Sequence, residues 1–213
     1  MDVTEFSRLE ASFQRFHAEF SATFGRKQWR ERSRDYLRGL LAQAAERGNA
    51  ENLSEVTEAS DRVLQRFLSE ARWDDQAVLR KLQEYLGPRL THPEAVFAAD
   101  DSGIPKQGKK SVGVARQYCG AVGKVANCQV GVFLAHVGPH GRALVDKRLY
   151  LPREWTDDPE RCADAEVPAD QQAYRSKTEL ALAMLEETRQ WGHLTAAWVT
   201  GDDRVPRDRK SVV

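Results

Sequence analysis

The chain has 213 residues, of which 32 are Lys or Arg and 32 are Asp or Glu, so its formal net charge is zero. A mean hydropathy of -0.61 and the lack of a long uncharged apolar run exclude a membrane-spanning helix. The acidic start, MDVTEF, lacks the pattern of a secretory signal. Three cysteines without a C-x-x-C pair argue against a disulfide scaffold and predict a cytoplasmic protein.

Zero net charge, taken alone, argues against a nucleic-acid partner, which usually meets a basic surface. The charges are unevenly spread along the chain, however. Five Lys or Arg and no acid lie from Ser102 to Lys124, whereas acids crowd residues 157–166. The balance therefore excludes only a uniformly basic protein.

Up to about Leu90 the apolar residues recur at steps of three and four, which predicts helices. The first predicted helix ends at Gly25 and the second near Gly48-Asn49. Two short helices follow, separated by a break at Ala59-Ser60. A fifth helix begins after Asp74, where acids favour a helix N-terminus, and is predicted to end at Gly87-Pro88.

After Pro93 the pattern changes to that of strands. Short apolar runs predict strands, the turn at residues 138–141 predicts a hairpin, and residues 152–175 are predicted to form a loop. Ser176 with Glu179 predicts a capped helix that ends at Gly192-His193. The predicted strands cover residues 95–99, 112–118, 126–137, 142–151 and 195–200.

Asp100 and Asp202 each directly follow a predicted apolar strand. Carboxylates at the ends of adjacent strands can bind Mg²⁺ together with water and phosphate oxygens. A pair of such metals would activate a water and stabilise the leaving oxygen in phosphodiester cleavage. Acids are also common turn residues, and in that alternative both aspartates merely end their strands.

Several motifs resemble one family closely. The run from Asp100 to Lys109 (DDSGIPKQGK) resembles the start of the catalytic domain in insertion-sequence transposases of the DDE endonuclease superfamily. Residues 111–120 (SVGVARQYCG) and 123–129 (GKVANCQ) are similar to the same family. The similarity continues through RLYLP at 148–152, KTELA at 177–181 and AWVTGD at 197–202.

The resemblance implies a transposase, an endonuclease and strand transferase that cleaves and joins DNA with Mg²⁺ or Mn²⁺. It implies an α+β fold: a helical DNA-binding domain at residues 1–92, then an incomplete RNase H-like mixed sheet at 93–213 in the order strand-strand-strand-helix-strand. Asp100 and Asp202 would be the catalytic and metal-binding acids, with Asp101 as the alternative to Asp100. Lys106, Lys109 and Arg116 would contact DNA phosphates, unless they form only a solvated basic surface.

The helical half would bind the transposon terminal repeats. Residues 53–57 and 61–72 fit a helix-turn-helix whose second helix offers Arg62 and Arg66 to a DNA groove, but an ordinary helix pair fits equally well. The strongest basic cluster spans Arg26 to Arg38. Two cysteines and two histidines are interpreted as structural rather than catalytic residues. These are Cys119, Cys128, His136 and His140.

The family also carries a third catalytic acid well downstream of the second, and this sequence stops before one is reached. We therefore expect a truncated transposase, with residues 208–213 non-native and with little or no strand transfer. The alternative is a non-catalytic fragment that binds DNA or associates with a transposase. A protein without either function would use its acids only in turns. The expected partners are terminal-repeat and target DNA, with possible self-association and association with the nucleoid.

Overall fold

The computed structural model describes residues 2–42 and 49–201, so Gly48, Asp202 and the residues after Asp202 lie outside the described part. The chain divides into two compact units, Met1–Leu82 and Gln83–Val213. This division falls within the helix Asp75–Leu90, and the predicted boundary after residue 92 lies beyond the end of that helix. The helices are α1 (Val3–Phe20), α2 (Lys27–Ala42), α3 (Ala50–Glu55), α4 (Asp61–Glu70), α5 (Asp75–Leu90), α6 (Arg153–Thr156), α7 (Pro159–Asp164) and α8 (Lys177–Trp191). The strands are β1 (Val96–Pro105), β2 (Ala115–Cys119), β3 (Lys124–Gly138), β4 (Gly141–Tyr150) and β5 (Trp198–Gly201).

The first unit is helical, as predicted. Leu53, Ala59 and Leu64 are buried where α2, α3 and α4 meet, with Tyr36 packed against them. The predicted break at Ala59-Ser60 separates α3 from α4. Phe67 of α4 lies against several other aromatic rings. The predicted helical periodicity therefore reflects a real apolar core.

The helix α5 is longer than predicted. Asp74 accepts hydrogen bonds from the backbone of Gln76 and Ala77, which fixes the helix start. The predicted end at Gly87-Pro88 is wrong, because α5 continues to Leu90, which is buried in the core of the second unit. Gly87 lies where a Cβ atom would come within 2.3 Å of the His193 carbonyl oxygen, so it serves close packing rather than helix termination.

The second unit contains one five-stranded mixed sheet. The strand order is β2-β3-β1-β5, and β4 also pairs with β3. The β1/β5 pair is parallel and the other pairs are antiparallel. α8 lies between β4 and β5, so four strands precede this helix, one more than in the predicted strand-strand-strand-helix-strand order. The α+β, RNase H-like fold is confirmed.

Two predicted strands differ from the structure. The prediction that the first ends before Asp100 is wrong, because β1 pairs with β3 from Val96 to Pro105 and includes both acids. Long-range pairing here outweighs the poor strand propensity of Asp and Gly. The last predicted strand was expected to be buried, but all four residues of β5 are exposed, since among the described strands β5 pairs only with β1.

The predicted loop at residues 152–175 is also partly wrong. It contains α6, α7 and a short 3-10 helix. Leu151, Trp155, Cys162 and Val167 form a small buried cluster there. This cluster gives the segment its own core, which the high content of Pro and polar residues concealed.

One face of the sheet packs against α8 and the end of α5. Phe97, Val132, Leu134 and Met184 are buried in this layer. The predicted capping box of α8 is present: Ser176 accepts from the Glu179 amide, and Glu179 accepts from the Ser176 amide. No helix within residues 2–42 and 49–201 is both long and apolar enough to cross a membrane.

Strand β4 has a β-bulge at Val145, opposite Leu134 and Ala135 of β3. Gln83, which is fully buried, donates from Nε2 to the carbonyl of Val145, at 3.1 Å, and to Thr188 Oγ1 of α8, at 3.0 Å. The bulged carbonyl is thus satisfied by a side chain.

Beside the bulge, the Asp146 carboxylate is completely buried. Arg148 forms ion pairs with both Asp146 and Glu187 of α8. Burial raises the pKa of Asp146, and the positive charge of Arg148 opposes that increase. Arg148 therefore compensates a buried charge and links β4 to α8.

Replacing Arg148 with Met should leave the Asp146 carboxylate buried without its partner. We expect the free energy of unfolding to fall by about 3–5 kcal/mol, measured by urea denaturation. The double variant Asp146→Asn/Arg148→Met should recover most of that loss. A single variant as stable as the wild type would contradict this role for the ion pair.

In the first unit, His17 is buried between the rings of Phe13 and Phe24. The Ser33 hydroxyl donates its one hydrogen to the Arg30 carbonyl, so His17 Nε2 donates to Ser33 Oγ, at 2.8 Å. Burial, with the nearby charge of Arg34, lowers the pKa of His17. The neutral imidazole is therefore the form that fits the folded unit.

Because this pKa is lower in the folded than in the unfolded state, the associated stability is present above the unfolded value of about 6.5. It is lost as the pH falls through the folded value. We expect wild-type unfolding free energy to decrease below pH ~6.5. His17→Gln, which can keep a bond to Ser33, should show a shallower decrease, measured by thermal unfolding across this pH range. Equal slopes would contradict the assignment.

Candidate functional site

Asp100 and Asp101 are neighbours in β1 and so point to opposite faces of the sheet. The Asp101 carboxylate faces α8, where Lys177 Nζ lies 2.6 Å from Oδ2. Asp100 is exposed on the other face, and one of its carboxylate oxygens, Oδ1, accepts from the Asp101 amide at 2.7 Å. The two acids of the motif therefore have different environments, and only Asp101 has a cationic partner among the described residues.

The register of the parallel pair relates Asp100 to the end of β5. Ala99 pairs with Gly201, and these two residues immediately precede Asp100 and Asp202 in the sequence. Asp202 itself lies outside the described residues. The expected strand-end position of Asp100 is wrong, since pairing of β1 with β3 continues beyond it to Pro105.

A divalent metal requires oxygen ligands of the kind that Asp100 offers. Its carboxylate is exposed and engaged only by one backbone amide, so the donor type fits Mg²⁺ or Mn²⁺. Within residues 2–42 and 49–201, no group of three or more His, Cys, Asp or Glu is arranged to hold a metal ion. Asp100 thus offers one carboxylate oxygen that is not engaged by the Asp101 amide.

A basic segment follows β1 directly. We call residues 106–114 the basic loop, since it carries Lys106, Lys109 and Lys110 without an acid. Lys109 and Lys110 are exposed, and they line a cavity of about 580 Å³ together with Trp155, Arg161 and acids of α7. Arg116 is exposed on β2. Lys106 is half-buried, so Lys109 and Arg116 are the predicted phosphate contacts that the structure leaves exposed.

The basic residues of the first unit are partly neutralised. Arg32 and Arg34 both pair with the buried Asp35. On α4, Arg62 is exposed, but Arg66 makes a bidentate pair with Glu70, with Nη2 to Oε2 at 2.8 Å. The helix pair expected for a helix-turn-helix is present as α3 and α4, while its use in reading DNA stays a prediction.

The three cysteines are fully buried and unpaired in disulfides. Burial, together with contact with Cys119, raises the pKa of Cys128 to about 11. His136 is also fully buried, and its Nε2 lies 3.1 Å from the Thr195 carbonyl. The ring of His140 lies against that of His92. These environments support the interpretation of all four predicted residues as structural.

Sequence reasoning missed the side chains that hold the basic loop. Asn127 and Gln129 of β3 donate to its carbonyls, and so do Trp155 of α6 and Arg161 of α7. The run from 123 to 129, which includes Asn127 and Gln129, stands out in the sequence only as a family motif. No local pattern marks these residues, because each acts across a sequence separation of at least 17 residues.

The sheet order is that of an RNase H-like fold, with an exposed acid on β1 and an adjoining basic loop. A family model described as DDE superfamily endonuclease matches residues 19–202, and the chain belongs to this family. The matched region includes Asp100, the basic loop and Asp202. Family membership indicates nuclease or transposase-type activity on DNA, and members generally use divalent metals. A comparison with curated proteins gave no match.

Since every thiol is buried, we expect the native chain to react very slowly with Ellman's reagent at neutral pH. Cys128 in particular carries almost no thiolate there, because its pKa is about 11. In denaturant all three cysteines should react at once. Rapid labelling of one native thiol would contradict a purely structural role for that cysteine.

Proposed function

We propose that the second unit is a transposase-type catalytic domain whose Asp100 and Asp202 bind a divalent metal and act on DNA phosphodiester bonds. The observation that carries this proposal is the register of β1 and β5, in which the residues preceding the two acids are direct partners. The membership of the chain in the DDE superfamily endonuclease family supplies the class of reaction.

Asp100 is a better metal ligand than Asp101 for two reasons. Asp101 is already paired with Lys177, so metal binding there would have to displace an ammonium at 2.6 Å. Asp101 also points to the face of the sheet that is packed against α8. Asp100 is exposed on the opposite face, where a DNA backbone can approach.

Bound Mg²⁺ or Mn²⁺ would supply a Lewis acid that activates water and stabilises the leaving oxygen. Asp100 would hold the ion through the carboxylate oxygen that is not engaged by the Asp101 amide. Lys106, Lys109 and Arg116 would bind flanking phosphates and so orient the scissile strand. In the first unit, Arg62 is the better-placed candidate for DNA contact, since Arg66 must first leave Glu70.

A second candidate function is DNA binding without cleavage. It is favoured by the exposed Lys109, Lys110 and Arg116, which would suffice for binding to phosphates without a metal. A chain of this kind would occupy terminal repeats or associate with an active transposase.

The two candidates are separated by nicking of supercoiled plasmid in Mg²⁺ or Mn²⁺. For a catalytic domain we expect metal-dependent nicking that falls about 100-fold or more in Asp100→Asn, because even outer-shell residues of metal sites cost 10–100-fold. Asp101→Asn, which has the same change of charge, should lose less than about tenfold. DNA binding by Asp100→Asn should persist, measured by fluorescence anisotropy.

DNA binding by the wild type without any nicking would favour the non-catalytic candidate. Equal losses in Asp100→Asn and Asp101→Asn would contradict the assignment of Asp100. A wild type that neither binds nor nicks DNA would contradict both functions.

A further inference from the structure

The basic loop is held in place through its carbonyl oxygens. Six of its carbonyls accept hydrogen bonds from side chains of the surrounding structure. From β3, Asn127 Nδ2 donates to the carbonyls of Lys106, at 2.8 Å, and Gly108, at 2.7 Å, and Gln129 Nε2 donates to that of Val112, at 2.6 Å. From β2, Gln117 Nε2 donates to the carbonyl of Gly113, at 3.3 Å. From the segment after β4, Trp155 Nε1 donates to the carbonyl of Val114, at 2.9 Å, and Arg161 Nη2 donates to that of Lys109, at 3.0 Å. The loop is thus fixed on its acceptor side.

At the two ends of the loop, the amide of Lys106 donates to Asn127 and that of Val114 to Ser111, but the amides between them are unused in the part of the chain that the structure describes. Within the described chain, no backbone amide from Gln107 to Gly113 donates a hydrogen bond to protein. Residues 107–111 are exposed, and neither Lys109 nor Lys110 forms an ion pair with a described residue. An exposed segment with free amides and two free ammonium groups is suited to an anion.

Arg161 and Trp155 hold the loop at Lys109 and Val114. The Arg161 guanidinium lies over the Trp155 ring, 3.9 Å from its centroid, and donates to the loop at Lys109. Trp155 is only 1% exposed, so its hydrogen bond to Val114 is shielded from water. Both of these anchors come from the segment 153–164, which therefore fixes the loop together with Asn127, Gln129 and Gln117.

We propose that the basic loop is a preorganised phosphate-binding loop, which receives the DNA backbone on its free amides and on Lys109 and Lys110. Arg161 and Trp155 are positioning residues for it. This proposal rests on the DNA-binding part of the proposed function. A loop that is already ordered pays little conformational entropy on binding, so its donors contribute more to affinity.

The acids of α7 oppose this binding. Asp158, Glu160 and Asp164 line the same cavity as Lys109 and Lys110. Their charge lowers the local positive potential without satisfying either ammonium group directly. Removing one of these acids should therefore strengthen DNA binding, whereas a loop without contact to DNA would be indifferent to the change.

The test uses the full chain and a short fluorescein-labelled DNA duplex, with affinity measured by anisotropy over a series of salt concentrations. Arg161→Lys keeps the charge but loses the fork that holds the loop carbonyls, and we expect about tenfold weaker binding, the cost of one charged hydrogen bond. In Lys109→Gln/Lys110→Gln, the slope of log K against log salt should fall by about two. Asp164→Asn, which avoids the capping residue Asp158, should bind about two- to fivefold more tightly.

A direct readout comes from amide hydrogen exchange. The amides of Gly108, Lys109 and Lys110 should exchange rapidly in the free chain and become protected when the duplex is added. Circular dichroism melting checks that each variant is folded. If Arg161→Lys does not fold, the double lysine variant and the exchange measurement still decide the question.

The outcomes separate this inference from the function on which it rests. Wild-type binding that is unchanged in Arg161→Lys and in the double lysine variant, with no protection of loop amides, would overturn the loop proposal alone. A wild type that fails to bind the duplex would overturn both. Glu186→Gln serves as the matched control, since it removes an exposed carboxylate of α8 outside the loop, and the loop amides of this variant should still become protected.

Discussion

The register of β3 is the constraint on which the second unit depends. This one strand pairs with β1, β2 and β4, and its register with β1 runs without interruption from Val96 to Pro105. A slip by one residue would exchange the faces of Asp100 and Asp101 and turn Phe97 out of the core. The exposure of Asp100 is therefore a consequence of pairing along the whole strand and not of its own immediate sequence.

The face of the sheet under α8 shows how polar groups are accommodated beside an apolar core. Leu180 and Met184 fill the centre, while Gln83 donates to the carbonyl of the bulge and Arg148 pairs with one carboxylate oxygen of the buried Asp146. Lys177 of the same helix pairs with Asp101. Since α8 contacts β1, β3 and β4, these polar contacts favour a single position of the helix on the sheet.

Local signals in the sequence predicted a large part of the fold. The capping box at Ser176 and the hairpin at residues 138–141 depend on adjacent residues and were correct. The length of β1 could not be predicted, because Asp100 to Gly103 are poor strand formers whose conformation is imposed by β3. For the same reason the continuation of α5 past Gly87 required knowledge of the distant His193 backbone.

Of the candidate site, only the residues within its sequence motifs could be predicted. Asp100 and the lysines stand out as sequence, but the anchors of the basic loop come from separate elements. The mode of anchoring has a consequence for how this region can change. A loop that is held by its backbone carbonyls keeps its path almost independently of its side chains, except at Gly108 and Gly113, whose φ values are +78° and +76°. Substitutions of the other loop side chains can therefore change the charge and specificity of this surface without changing the backbone conformation of the loop.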